Sequence, residues 1–552
     1  MNNPRRVPLR RRDIMAVPSA DVFARNGRNA RIRTGIFGAV LALICACLYT
    51  VFRLDNIVFP AIFIVSVMIP ILLWRFPKFS LFFLFLSVCL FECVPLGVAI
   101  IPTTMIPFFW NVNTIMQIYA GASGAHELPL NLFEIFILVA GAASLVRSVY
   151  TGTARVFAGP LLLPLLGYEF FVIFGWFHGL FTGGDFKISL QEVRSQFYLV
   201  LAYIIGINAV TDKDTIRKLQ WAMVICIGMK GLFYTLCRFI NYAGQPVPDQ
   251  GVGSHEEAFF FNSFIIFFIV SCVYRPSKAM FYTMIAFLPL VIIGNLACNR
   301  RAGTAALIIA LPIMVAVVYK TLPKYRKTIA IASVCFGLLG TAYYQEFKNS
   351  SSMLAQPARA VKSQFDPDER DASSNSYRDA ENADLMATIR LDPILGYGYG
   401  KRMLHAVPIA DISKTYEFWD IVTHDQILWI WMRVGTIGFI AFWLAMCGCI
   451  IYGVQRATNP DVDWETQGVA LYTVLVLTML IVFGLLDLQL SNFRDMLFTG
   501  MWIGIMAGSA RVASIPVANL GTDEDVAPSP LLASERTQRF LTGGRTGYGR
   551  TR

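Results

Sequence analysis

Charge is scarce in this sequence. Only 15% of its 552 residues are Asp, Glu, Lys or Arg, against about 25% in a soluble domain. Cysteine shows no working pattern. Eleven are present, all in or beside apolar stretches, and none stands at metal-ligand spacing. Cys45 and Cys47, like Cys447 and Cys449, are two apart and so face different ways on a helix. They read as buried, inert thiols. No small-residue cleavage site stands out near the start, and no apolar stretch directly follows the early arginine pairs. These shortages exclude a soluble enzyme, a disordered chain, a secreted disulfide scaffold and twin-arginine export.

What the chain has is apolar length. Hydrophobic residues make up 56% of it, gathered in blocks of about 20, the length that crosses a hydrocarbon core. The expected fold is all-α, a polytopic transmembrane helix bundle of about 12–14 spans with one large periplasmic loop. Spans are expected at 35–52, 57–74, 79–101, 130–146, 159–181, 197–211, 219–237, 258–273, 279–298, 302–319, 328–344, 424–454, 466–486 and 495–511. Residues 1–34 are expected to form an Arg-rich cytoplasmic tail ahead of a signal anchor, 35–511 the membrane domain, and 512–552 a second cytoplasmic tail.

The net charge of +11 invites a nucleic-acid reading, but its distribution argues against one. Lys and Arg concentrate in alternate connections, as in Lys213, Arg217 and Lys218, or Lys320, Lys324, Arg326 and Lys327. That is the positive-inside pattern, with both termini cytoplasmic. The connection 102–129 has neither Lys nor Arg.

The hydrophilic segment 345–423 is long for a connection without a task. It carries twelve Asp or Glu against nine Lys or Arg. Asp366-Pro-Asp-Glu-Arg-Asp371 lacks the Gly and the final Glu of a calcium loop and reads as a solvated turn. A helix is expected from about Ser374, capped by Ser or Asn, to about Leu391, where Asp392-Pro393 ends it. Gly396-Tyr-Gly-Tyr-Gly400 is a turn in which backbone could approach a ligand closely.

Several groups fall on the outer face against the charge rule, and so require a functional reason. Arg194 lies in the expected connection 182–196, Arg300 and Arg301 in a short turn, Arg378 in the loop helix, and His424 at the outer end of a span. Guanidinium groups hold phosphate bidentately without losing charge. Three or four converging would grip a lipid diphosphate and stabilise it as a leaving group, with no metal or cofactor. Histidine is the residue type suited to act as a general base at neutral pH, which makes His424 the candidate base.

Three stretches together resemble the O-antigen ligase and O-antigen polymerase superfamily of bacterial inner-membrane proteins, over roughly residues 159–455. They are Arg300-Arg-Ala-Gly303, Ser376-Tyr-Arg378 through Asp392-Pro-Ile-Leu-Gly-Tyr-Gly398, and His424 through Gly435-Thr-Ile-Gly438. The resemblance implies a class C glycosyltransferase. Such an enzyme takes a glycan from undecaprenyl diphosphate at the periplasmic face and passes it to an acceptor glycan. That acceptor is a lipid-linked repeat for a polymerase or lipid A-core for a ligase, with polymerase slightly favoured by chain and loop size. By motif, Arg194, Arg300 or Arg301, and Arg378 would hold the diphosphate, and His424 would activate the acceptor. Asp425, where the family often has Asn, would orient His424, and Gly396 and Gly398 would support the site. Membrane lipids, and a chain-length regulator or export protein, are compatible partners; nucleic acid is not. Arg433 lies within a span and calls for a partner.

Glu92, Glu134, Glu169, Lys230 and Asp487 also fall in or at the edge of spans. They support a rival class, a secondary transporter or lipid-linked glycan flippase with a proton relay. The sequence has no internal repeat or paired broken helices of the kind transporters carry.

Overall fold

An apolar chain in lipid must satisfy every backbone N–H and C=O internally, so it folds as helices. In the computed structural model the described residues are helical, with turns between and no strand beyond an isolated bridge from Asn111 to Asn131. The structure describes residues 77–93, 100–115, 130–151, 157–245, 251–413 and 418–513, with single positions at 38 and 42. The expected tail 1–34, the spans 35–52 and 57–74, residues 116–129 and the tail beyond 513 lie outside the described residues. The helices described here belong to the unit that ends at Val512, save the last residue of the final helix, Ala513.

Fourteen α-helices are described. They are α1 Pro77–Leu90, α2 Leu132–Thr151, α3 Leu162–Phe181, α4 Phe186–Ala209, α5 Lys213–Ile240, α6 Glu257–Tyr274 and α7 Lys278–Cys298, followed by α8 Arg301–Thr321, α9 Arg326–Phe347, α10 Gln356–Lys362, α11 Glu369–Ile389, α12 Gln426–Thr458, α13 Trp464–Gly484 and α14 Phe493–Ala513. Eight helical segments among the described residues are long and apolar enough to cross a membrane. The protein is an all-α polytopic membrane bundle.

The expected spans from 79–101 onward each fall on one of these helices, with two corrections. The first helix stops at Leu90, after 14 residues, or about 21 Å, because Glu92 leaves it to meet buried cations. The helix expected at 197–211 instead begins at Phe186, capped by Asp185, whose carboxylate accepts from Ile188 N at 2.9 Å. Arg194 therefore lies within α4, not in a connection.

At the centre stands α13, buried at every residue from Thr466 to Gly484. It is apolar all round, as a helix with no solvent face must be. α12, α8 and α6 pack on it, α3 lies against α12, and α7 pairs with α5. Small residues let helices close up: a Cβ at Gly453 would lie 2.4 Å from Val474. α9 is the opposite case. None of its residues is buried, so its apolar surface faces outward.

The segment 345–423 is largely folded. α10 packs on α8, and α11 packs on α12. α11 begins earlier than expected, at Glu369, with Asp368 as its cap, accepting from Asp371 N at 2.8 Å. It closes at Ile389, just ahead of Asp392-Pro393.

Candidate functional site

α11 brings the site together. Glu381, Asp384, Leu385 and Thr388 share its buried face, at the three- and four-residue spacing that aligns side chains on a helix. Asp384 accepts from Ala406 N and Val407 N at 2.8 Å each. The Thr388 hydroxyl accepts from Leu404 N at 2.9 Å. These bonds fold the chain after α11 back over it and deliver His424 to Glu381.

His424 meets Glu381 through both backbone and ring. Its backbone N donates to Glu381 Oε2 at 2.9 Å, and its Nδ1 lies 3.1 Å from the same oxygen. Glu381 is 1% exposed and His424 25%. A buried carboxylate on Nδ1 fixes the N–H there and leaves Nε2 as the basic nitrogen. Tyr377 sets its ring edge-on to the imidazole at 5.9 Å. Asp425 has a different job from the one expected. Its Oδ1 accepts from Ile427 N and Leu428 N, at 3.1 and 3.0 Å, and caps α12. Glu381, 43 residues away in sequence, occupies the orienting position.

His424 lines a cavity of about 750 Å³ together with Arg300, Arg301 and Arg378. Arg238, Arg359 and Arg370 line it as well, against Asp368, Asp371 and Asp487. Six guanidinium groups facing three carboxylates make this an anion-binding cavity by charge. Arg301 is anchored by Asp371 at 3.3 Å and by the hydroxyls of Ser363 and Ser374, both at 3.3 Å. Asp371 is thus a wall of the cavity and not part of the expected solvated turn. Arg378 forms no hydrogen bond or ion pair among the described residues, so its fork faces the cavity uncommitted.

His255 and Asp487 also line the cavity, with Nδ1 3.4 Å from Oδ1. Burial raises the Asp487 carboxyl. The hydrogen bond and charge of His255, with Arg300 and His424, outweigh it and hold the group well below the usual carboxylate range. A second cavity, of about 590 Å³, shares Arg301, Ala302, Ala360 and Arg378 and runs along Ala305, Ile308 and Ile309 of α8.

Two expected site elements are elsewhere. Arg194 is 3% exposed, paired with Glu134 at 3.0 Å and donating to Gln191 at 2.6 Å; it does not line the cavity. The glycine turn approaches protein backbone, not a ligand. α12 breaks at Gly435, with φ +68° and ψ 178°. The turn after α11 fills the break: Tyr397 N donates to Met432 O at 2.7 Å and Thr436 N to Pro393 O at 2.9 Å. Gly396 and Gly398 have φ +90° and +83°, and a Cβ on them would meet Gly435 N at 2.4 Å and the Cα of Gly179 at 2.5 Å. Only glycine fits there. Arg433 binds this turn, donating to Gly398 O at 2.9 Å, Lys401 O at 2.8 Å and Ile421 O at 2.8 Å. Its ionic partner is Glu192, at 2.6 Å and equally buried.

Of the ionisable groups the sequence put within or beside spans, Glu169 has no hydrogen bond to either oxygen among the described residues. Glu92 and Lys230 pair with each other at 2.8 Å, inside the bundle. No protein-family model matches the chain, and no curated protein matches it.

Proposed function

We propose that the protein is an integral glycosyltransferase of the O-antigen ligase and polymerase type. It would act at the periplasmic face of a bacterial inner membrane, with both termini cytoplasmic. The observation that carries the reading is His424, braced by buried Glu381, on the wall of a cavity that also presents Arg300, Arg301 and Arg378. The adjoining apolar cavity along α8 supports a lipid substrate, because a diphosphate at Arg301 and Arg378 would have hydrocarbon surface beside it.

The chemistry balances without further reagents. The acceptor hydroxyl gives its proton to His424 Nε2 as its oxygen bonds to the anomeric carbon. The bond from that carbon to the diphosphate oxygen breaks, and undecaprenyl diphosphate leaves with the electron pair. Displacement from the opposite face inverts the centre. Glu381 stabilises the imidazolium, and the arginines stabilise the charge gathering on the diphosphate. The acceptor, a lipid-linked repeat or lipid A-core, distinguishes polymerase from ligase, and polymerase is the preferred form.

Complementation of a deletion strain tests this, with surface glycan and extracted lipid-linked intermediates as readouts. Wild type should restore the glycan and His424→Ala should not, at equal membrane levels. Accumulated single lipid-linked repeats identify a polymerase; long lipid-linked chains beside bare lipid A-core identify a ligase. Unaltered glycan and intermediates in a strain cleared of redundant enzymes would refute glycosyl transfer. The second reading, a proton-coupled transporter or glycan flippase, rests on the buried charges around Lys230.

A further inference from the structure

A second ionisable group is sealed inside the bundle at the end that carries the cavity. Lys230 Nζ of α5 lies 2.8 Å from Glu92 Oε1 and 2.5 Å from Glu257 Oε1. Arg494 of α14 lies 3.1 Å from Glu92 and 3.2 Å from Glu256, and also bonds Glu257. Its guanidinium sits 4.3 Å from the centroid of the Phe260 ring. Asp495 follows it in sequence and is buried, with neither carboxylate oxygen hydrogen-bonded among the described residues. Glu92, Lys230, Glu257, Arg494 and Asp495 are 0% exposed, and Glu256 is 4%.

The charges do not balance. Among the described residues, Glu92, Glu256 and Glu257 pair with the two cations, and a fourth buried carboxyl, Asp495, pairs with neither. If all four were ionised, two negative charges would remain uncompensated away from water, at several kcal/mol each. The missing positive charge is either a bound cation or protons. The space between the carboxylates is already taken by Lys230 Nζ and the Arg494 guanidinium, which leaves little room for a metal ion. Both oxygens of Asp495, and Oε2 of Glu257, lack any hydrogen-bond partner among the described residues. The neighbouring titratable groups, Cys89, Cys93, Tyr234 and Cys298, bring no positive charge.

We propose that this cluster is a proton-binding site, with Glu257 and Asp495 held neutral, and that it exchanges protons with the cavity through His255. His255 directly precedes Glu256 and Glu257 in the chain and pairs with Asp487 in the cavity wall. The site stands apart from glycosyl transfer and does not depend on it.

The test is infrared spectroscopy of the purified full-length protein in lipid nanodiscs, read beside its thermal midpoint. Wild type shows a protonated-carboxyl C=O band, and Glu257→Gln and Asp495→Asn each remove part of it. Both variants copy a neutral carboxyl, so both keep the midpoint within a few degrees of wild type. Glu92→Gln removes an ionised partner of both cations and lowers the midpoint by about 10 °C or more. Transfer into D2O shifts the band, and His255→Ala slows that shift at least about tenfold. No such band in wild type overturns the proposal. So does a Glu257→Gln variant as destabilised as Glu92→Gln, because Glu257 is then a structural carboxylate. A wild-type midpoint that rises with added magnesium or calcium while the Glu257→Gln midpoint does not overturns it in favour of a bound cation. An unchanged exchange rate in His255→Ala overturns the route to the cavity.

Discussion

The imidazole of His424 and the carboxylate of Glu381 act as one unit. Glu381 is all but fully buried and bonds both the backbone and the ring of its partner. Removing its charge leaves the geometry nearly intact but takes away the group that would stabilise the imidazolium in the proposed transfer. Glu381→Gln should therefore cut transfer by roughly 10²–10⁴-fold, mainly in kcat, with KM for the lipid donor little changed. Steady-state kinetics in proteoliposomes checks this, and a purely raised KM would assign Glu381 to substrate binding. Arg378 tests the anion side. It has no partner among the described residues and lines both cavities. Arg378→Lys keeps the charge and loses the planar fork, so it should bind the lipid diphosphate at least about tenfold more weakly. Equal binding would remove Arg378 from diphosphate recognition.

At the scale of elements, the broken α12 and the turn that enters it are the joint holding α11 and His424 in register. A Cβ on Gly435 would lie 2.2 Å from Ile394 O, at a φ of +68°. Gly435→Ala should lose about 1–2 kcal/mol from the backbone alone and more from the clash, lowering the thermal midpoint by roughly 5 °C or more. Arg433→Met leaves Glu192 charged and buried without its ion-pair partner, a loss of about 3–5 kcal/mol. Adding Glu192→Leu should recover part of that, because the orphaned charge goes with it. Melting curves of the two single variants and the double variant measure the coupling, and strictly additive losses would show that the pair is not a unit.

For the whole molecule, the placement of helices puts the cavity at the common end where α8 and α12 begin and α13 stops. The connection holding Lys324 and the one holding Asp461 lie at the other end. Single cysteines at Ser413 and Lys324, in a chain freed of its own cysteines, should be labelled by an impermeant maleimide from opposite faces of the membrane, with Ser413 on the periplasmic side. Labelling of both from one face would break the topology.

Helix content and most span positions were legible in the sequence because lipid leaves the backbone no alternative and apolar length alone marks a span. Arginines in connections expected to lie outside, and a histidine at a helix start, were legible as anomalies of charge against the expected sidedness, which is why Arg300, Arg301, Arg378 and His424 could be picked from residue type and position. Nothing local told that Arg194 would pair with Glu134, since the two are 60 residues apart and their pairing depends on how α2 and α4 meet. The same holds for Glu381 beside His424, for Glu192 beside Arg433, and for Glu92, Glu256 and Glu257 closing on Lys230 and Arg494. Each of these contacts joins residues distant in sequence. A buried charge is stable only where packing brings its partner, so the chain determined which groups needed partners and only the tertiary structure decided which partners they received.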